Sequence, residues 1–134
     1  MSERLVGIVL AHEEVATAFV AAVQAIAGDE HGLVGVSNIG CDRVAIAARL
    51  DAAVAGRPAV VFADMPGGSC AFGAAAYARE HPGIAVVTGV NLPMLLDFVF
   101  HRDQSPAAAA ARACQTGRGA VVAIGADPAP TSPR

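Results

Sequence analysis

LVGIVLAH at residues 5–12 and AVVFADMPGGS at residues 59–69 are the stretches of sequence that decide the fold. Each begins with a continuous apolar run rich in branched side chains, which is typical of a strand covered on both faces in a parallel sheet. The runs end at His12 and Asp64, where turn-forming or helical sequence begins. The pattern therefore predicts two buried strands, Leu5–Ala11 and Ala59–Ala63, each followed by a polar side chain.

The rest of the chain repeats this alternation of strand and helix. Further strands are predicted at Leu33–Ser37, Ile84–Thr88 and Ala120–Ile124. Apolar residues at helical spacing, helix-opening prolines and caps predict helices that begin near Glu13, after Asp42, near Cys70, at Pro93 and after Ser105. Right-handed crossovers then place helices on both faces of the sheet. The predicted fold class is α/β, with a doubly wound, mostly parallel five-stranded sheet.

Length and composition predict one domain. The chain has 134 residues, of which 54% are hydrophobic, and this length supports one compact core. Residues 126–134 contain Pro128, Pro130 and Pro133 and no apolar periodicity, which is typical of disorder. We predict a domain over residues 1–125 and a disordered tail over residues 126–134.

Charge, hydropathy and cysteine content narrow the function classes. The formal net charge is −3 and the nine Lys and Arg are scattered, so nucleic acid is disfavoured as a partner. No apolar run approaches the ~20 residues that cross a bilayer, and no export signal is visible. Cys41, Cys70 and Cys114 are odd in number and widely spaced, which favours free thiols in a reducing compartment. We predict a cytoplasmic protein.

His12 and Asp64 form the predicted functional constellation. In the flavodoxin-like strand order, the first and third strands are neighbours at the point where ligands bind, and neighbouring strands lie about 4.8 Å apart. A carboxylate bound to one imidazole N–H fixes the tautomer and directs the other nitrogen as a nucleophile. Gly67, Gly68 and Ser69 are expected to supply N–H groups to a phosphoryl group without a metal.

Each of these residues also has an ordinary structural explanation. A histidine after a strand is more often a capping or packing residue, an aspartate suits a turn, and paired glycines give backbone freedom. The joint placement of these residues at one crevice favours a site over the separate explanations.

Other kinds of site lack their motifs. No G-x-G-x-x-G motif follows the first strand, and no G-x-x-x-x-G-K-[ST] motif occurs, so dinucleotide and Walker-type nucleotide sites are disfavoured. The histidines and cysteines show no close metal-ligand spacing, so we predict no metal and no other cofactor. We expect Cys70 to be a small buried residue rather than a reactive thiol.

Three segments of the sequence resemble the mannose-type IIA component of the bacterial sugar phosphotransferase system. They are VGIVLAH (6–12), VVFADMPGGS (60–69) and GVNLPMLLDFV (89–99), and they occur in the order and spacing of that family. With the TGRGAVVAI region at 116–124, the resemblance covers nearly the whole chain. The resemblance implies flavodoxin-like order with an antiparallel C-terminal strand that can be exchanged in a homodimer. It also implies phosphorylation of His12 by phospho-HPr, a supporting role for Asp64, and transfer to a IIB component during carbohydrate uptake.

The sequence departs from this family at two positions. The family usually has Gly where this chain has Glu13, and Pro where it has Cys70. Glu13 and Glu14 put negative charge close to the expected phosphate, so transfer is expected to be slower or differently regulated.

Three alternatives stay open at this stage. One is the related phosphoryl acceptor of dihydroxyacetone kinase systems, although GVNLPMLLDFV is closer to the mannose branch. Another is a regulatory phospho-acceptor that signals nutrient state without driving transport. A small-molecule binder with a degenerate site is the third, and it requires that His12 cannot be phosphorylated.

Overall fold

The computed structural model describes residues 4–125, and the predicted tail at 126–134 lies outside them. Four strands and five helices alternate along this part of the chain. They are β1 (Val6–Ala11), α1 (Val15–Ala27), β2 (Leu33–Ser37), α2 (Arg43–Val54), β3 (Ala59–Ala63), α3 (Gly68–Glu80), β4 (Ile84–Thr88), α4 (Leu92–Val99) and α5 (Pro106–Gly119). No helix among these residues combines the length and apolar character that crossing a membrane requires.

The four strands form one parallel sheet in the order β2-β1-β3-β4. Ile8 of β1 pairs with Val34 of β2 on one side and with Val61 of β3 on the other. After β1, the chain adds β2 on one side of β1 and then crosses to add β3 and β4 on the other side. The strand order therefore reverses between β1 and β3. In open α/β sheets this is the position where ligands bind, at the carboxyl ends of the strands.

Alternate residues of the central strands fill two apolar layers, one on each face of the sheet. Val9 and Phe62 belong to the layer under α1, α4 and α5. Ile8 and Val61 belong to the layer under α2 and α3. Because β1 and β3 are buried on both faces, their sequences are continuously apolar. The prediction of an α/β fold with a parallel sheet between two layers of helices is confirmed.

The predicted fifth, antiparallel strand is wrong for the described chain. Residues 121–124 are irregular, and Val121, Val122 and Ile124 are 76%, 68% and 88% exposed. The segment has the apolar, branched composition of a strand, but a strand forms only where a partner ladder is available. Here α5 runs to Gly119 and delivers the segment to the surface, where it pairs with no strand of its own chain.

Helix starts also differ from the sequence prediction by one or two residues. Helix α1 begins at Val15 rather than Glu13, and α3 begins at Gly68 rather than Cys70. The side chain of Ser105 accepts from the N–H of Ala108, as expected for the cap of α5. The helix-forming pattern was therefore located correctly, whereas the exact first residue depends on turn geometry.

Tyr77 joins the two helices on one face of the sheet. Its hydroxyl donates to Asp51 Oδ1 of α2 at 2.9 Å, and its ring stacks on that of His81 with 3.9 Å between the centroids. Burial, with the hydrogen bond to Asp51 and the negative charge of Asp51 adding to it, raises the pKa of Tyr77 to about 12. The phenol therefore keeps its proton well into the alkaline range.

Candidate functional site

His12 and Asp64 lie in direct contact at the carboxyl ends of β1 and β3. Asp64 Oδ2 lies 2.8 Å from Nδ1 of the His12 ring and 2.9 Å from the backbone nitrogen of His12. The His12 side chain is 36% exposed, while that of Asp64 is 16% exposed. The structure therefore brings together the two residues that the sequence predicted to meet, and it leaves one side of the ring open to solvent.

The hydrogen bonds to Asp64 fix the state of the His12 ring. Burial of Asp64 raises its pKa, but the hydrogen bonds from the backbone and ring of His12, together with the His12 charge, outweigh this effect and leave the Asp64 pKa below its usual value. The carboxylate is thus ionised and can only accept. In the neutral ring the proton therefore lies on Nδ1, and Nε2 carries a free electron pair.

The free edge of the ring faces the beginning of α3. A Cβ atom built on Gly68 would lie 3.8 Å from Nε2 and 3.7 Å from Cε1 of His12. Gly68 has a φ of +87°, which favours glycine, whereas Gly67 has a φ of −118° and open space around it. No side chain caps α3, so the N–H groups of its first turn are available to an anion near Nε2. Ser69 is exposed in this turn.

Cys70 lies beside the same ring, a contact that sequence reasoning missed. Its Sγ is 3.8 Å from Nδ1 of His12, and ligand atoms of His12, Asp64 and Cys70 lie within 4.8 Å of one another. Burial first, and then the charge of Asp64, raises the Cys70 pKa to about 11. The prediction of a small buried residue is confirmed. The signal for the contact was the position of Cys70, six residues after Asp64 in the turn that opens α3.

Glu13 occupies a tight left-handed turn between β1 and α1. Its φ is +51°, its N–H donates to Asn38 Oδ1 at 3.2 Å, and its carbonyl accepts from Ser37 Oγ at 2.7 Å. Asn38 is not among the residues that the sequence predicted for the site. Strand β2 is the other neighbour of β1, and polar residues follow it directly. Their position was the sequence signal that they contact the loop after His12.

The surface around His12 is open and partly apolar. Met65 follows Asp64 and is 47% exposed, and Phe72 in the second turn of α3 is 61% exposed. Ile39, which follows Asn38, is 48% exposed. Two of the larger cavities lie elsewhere, between α2 and α3 and along the free edge of β4. The exposure of its own side chain presents His12 on a surface.

The fold and the site together define a doubly wound α/β protein with a histidine–aspartate pair at the switch point of its sheet. The profile of the EIIA-man family, described as PTS system fructose IIA component, matches residues 7–115. The chain therefore belongs to this family, and the resemblance to mannose-type IIA components is confirmed. A search of curated protein sequences found no significant match.

Solved structures agree with this fold. The phosphotransferase system component EIIA from Streptococcus agalactiae is 22% identical, with 89% of this chain and 96% of that chain covered and a TM-score of 0.82. The mannose/sorbose specific IIA subunit from Enterococcus faecalis is 24% identical, with 95% and 99% covered and a TM-score of 0.81. A sigma-54 interaction domain protein from Enterococcus faecalis is 13% identical, with 89% and 94% covered and a TM-score of 0.71.

Proposed function

We propose that this chain is a phosphocarrier of a sugar phosphotransferase system. Nε2 of His12 accepts a phosphoryl group from phospho-HPr and passes it to a IIB component during carbohydrate uptake. Residues 1–125 form the IIA domain. The observation that carries the proposal is the placement of the ring, because Nδ1 is held by ionised Asp64 while the Nε2 edge faces the uncapped start of α3.

The transfer step follows from the state of the ring. The electron pair of Nε2 attacks the phosphorus, the bond from phosphorus to the donor nitrogen breaks, and its electron pair stays on the donor ring. The phosphorylated His12 ring keeps the Nδ1 proton and gains positive charge, which the Asp64 carboxylate stabilises. Asp64 is therefore a partner of the ring and does not take its proton.

The start of α3 provides the anion site for the transferred group. Gly68, Ser69 and Cys70 carry the N–H groups of the first turn, and the helix dipole adds partial positive charge there. Gly67 precedes this turn and has no side chain that would obstruct the transferred group. These neutral donors orient a dianionic group without a metal, which suits rapid passage from one protein to another.

The exposure of His12 favours a protein as the donor. A small substrate needs a concave pocket, whereas a histidine on an open face is accessible to the histidine of another protein. Met65, Phe72 and Ile39, in the segments that follow β3 and β2, supply exposed apolar area at the same end of the sheet, which is typical of a contact surface. HPr and the IIB component would use this face in turn.

The exposed segment at residues 121–124 supports a homodimer. Strand β4 has a free edge, and Val121 lines the groove beside Val86–Gly89 of that strand. We propose that the segment packs against the free edge of β4 in a second copy, which would cover both the unpaired edge and the exposed valines. The proposed dimer would work in the cytoplasm, a compartment that keeps free thiols such as Cys41, Cys70 and Cys114 reduced.

The test is phosphorylation with phosphoenolpyruvate, enzyme I and HPr, followed by intact mass. The wild-type chain should gain one acid-labile, alkali-stable phosphoryl group, and His12→Ala should gain none. His101→Ala is the matched control, because His101 also lies beside an aspartate, Asp97, and its side chain is 38% exposed. Phosphorylation that persists in His12→Ala would exclude His12 as the acceptor.

A regulatory phospho-acceptor is the second candidate. One solved structure of similar fold is described as a sigma-54 interaction domain protein, a description that names no transport component. The same chemistry at His12 would serve both functions. Transfer from the phosphorylated chain to a IIB component separates them: transfer supports transport, and a stable phospho-form supports regulation.

A further inference from the structure

We propose that His12, Asp64 and Cys70 bind a Zn²⁺ ion and that the bound ion blocks phosphorylation of His12. An imidazole nitrogen, a carboxylate oxygen and a thiol sulfur from these residues lie within 4.8 Å of one another. Nitrogen, oxygen and sulfur donors of these types are the usual protein ligands of zinc. The binding site stands on this geometry, whereas the blocking effect rests on the proposed function.

The distances between the ligand atoms are close to those of a tetrahedral zinc site. Zinc bonds of ordinary length separate a nitrogen from a sulfur ligand by about 3.6 Å and a nitrogen from an oxygen ligand by about 3.3 Å. Nδ1 of His12 lies 3.8 Å from Sγ of Cys70 and 2.8 Å from Oδ2 of Asp64. Shifts of about half an ångström therefore reach zinc geometry, and small side-chain rotations supply them.

The second oxygen of the Asp64 carboxylate adds to the attraction for a cation. This oxygen, Oδ1, is buried and has no hydrogen-bond partner in the described part of the chain. A buried acceptor without a partner is unfavourable, and the charge of a cation bound to the neighbouring Oδ2 would reduce that cost. The three residues supply three protein ligands, and a water molecule would complete a four-coordinate ion.

Zinc binding and phosphorylation exclude each other chemically. Zinc binds a thiolate, so the Cys70 proton leaves to solvent when the metal binds. Coordination by Nδ1 of His12 moves the one proton of the neutral ring to Nε2. The Nε2 electron pair is then unavailable for phosphorus, and the Asp64 carboxylate is engaged by the metal. The ligands come from the ends of two strands and a helix, which is why no short metal motif exists in the sequence.

The binding test uses untagged, reduced, metal-free protein that competes with a chromophoric chelator for Zn²⁺. Wild type should bind one ion per chain with a Kd of about 1 μM or lower. Cys70→Ala should bind about 100-fold more weakly, while Cys114→Ala, which removes a half-buried thiol outside the cluster, should bind like wild type. Equal affinity of wild type and Cys70→Ala would overturn the site.

Two further measurements keep the binding test decisive. Thermal unfolding without metal checks that Cys70→Ala is folded, and Cys70→Ser provides a second variant that keeps an atom at the γ position. Co²⁺ in place of Zn²⁺ should give a thiolate charge-transfer absorption in wild type and none in Cys70→Ala. The same absorption in both proteins would show that Cys70 is not a ligand.

The blocking test measures phosphorylation with and without saturating Zn²⁺. Wild type should slow at least about tenfold, whereas Cys70→Ala in the same mixture of enzyme I and HPr should be insensitive to zinc. That comparison controls for zinc acting on the donor proteins. Unchanged phosphorylation of zinc-loaded wild type would refute blocking. If metal-free wild type is not phosphorylated at all, the proposed function fails, and the zinc titration still decides the site.

Discussion

Replacing Glu13 with glycine removes the strain of a left-handed backbone conformation and also removes a carboxylate. The φ of +51° is held by hydrogen bonds to Asn38 and from Ser37, so the surrounding structure imposes it. The left-handed region costs a residue with a Cβ about 1–2 kcal/mol. Glycine loses about 0.5–1 kcal/mol more conformational entropy on folding. We expect Glu13→Gly to raise the free energy of unfolding by about 0.5–1 kcal/mol.

Chemical denaturation with two controls separates the backbone effect from the charge effect. Ala55 caps α2 at the same φ of +51°, so Ala55→Gly should give a similar gain without any change of charge. Glu13→Ala removes the carboxylate and keeps the Cβ, so it should give little gain. A stabilised Ala55→Gly beside an unstabilised Glu13→Gly would refute the claim that the turn at Glu13 is strained.

The carboxylate of Glu13 has a separate effect on the phosphorylated state. The side chain is exposed, so water screens it. At about 8 Å in water, one negative charge raises the energy of a nearly dianionic group by about 0.9 kcal/mol. Glu13→Gly and Glu13→Ala should both raise the equilibrium phospho fraction at a fixed ratio of phospho-HPr to HPr, by up to about fivefold at low salt and less at high salt. No change at either ionic strength would show that the charge does not reach the site.

Three other substitutions test separate parts of the structure. Asp64→Asn can keep both hydrogen bonds through its amide oxygen but loses the negative charge. Phosphorylation should therefore slow about tenfold to a hundredfold while the melting temperature changes little. An unchanged rate would show that Asp64 is only a turn residue. Gly68→Ala should destabilise by about 1–2 kcal/mol in urea and Gly67→Ala by less than about 0.5, and equal losses would contradict the φ-based argument. The raised pKa of Tyr77 stabilises the fold below pH 10, and this stability is lost as the pH rises towards 12, by up to about 1.4 kcal/mol per pH unit. Tyr77→Phe should lack this part of the alkaline decline, and identical pH profiles would show that the phenol does not contribute.

The sequence predicted the residues whose environment is set by the sheet. The runs ending at His12 and Asp64 are apolar because β1 and β3 are buried on both faces, and parallel neighbours end at the same edge. The sequence predicted a strand at residues 120–124 that the structure does not have, because strand formation needs a partner edge that the composition of a segment does not specify. It also missed the contact of Cys70 with His12, since the left-handed Gly68 sets how the chain turns into α3.

Register in the buried sheet also sets the geometry of the site. Leu10 of β1 pairs with Ala63 of β3, so Asp64 follows its strand directly and His12 lies two residues beyond Leu10. From there the single oxygen Oδ2 reaches both the backbone nitrogen and the ring of His12. A slip of one residue would turn every side chain of β3 to the opposite face and move the carboxylate away from the ring. The two apolar layers resist that slip, so the packing that stabilises the fold also orients the nucleophile.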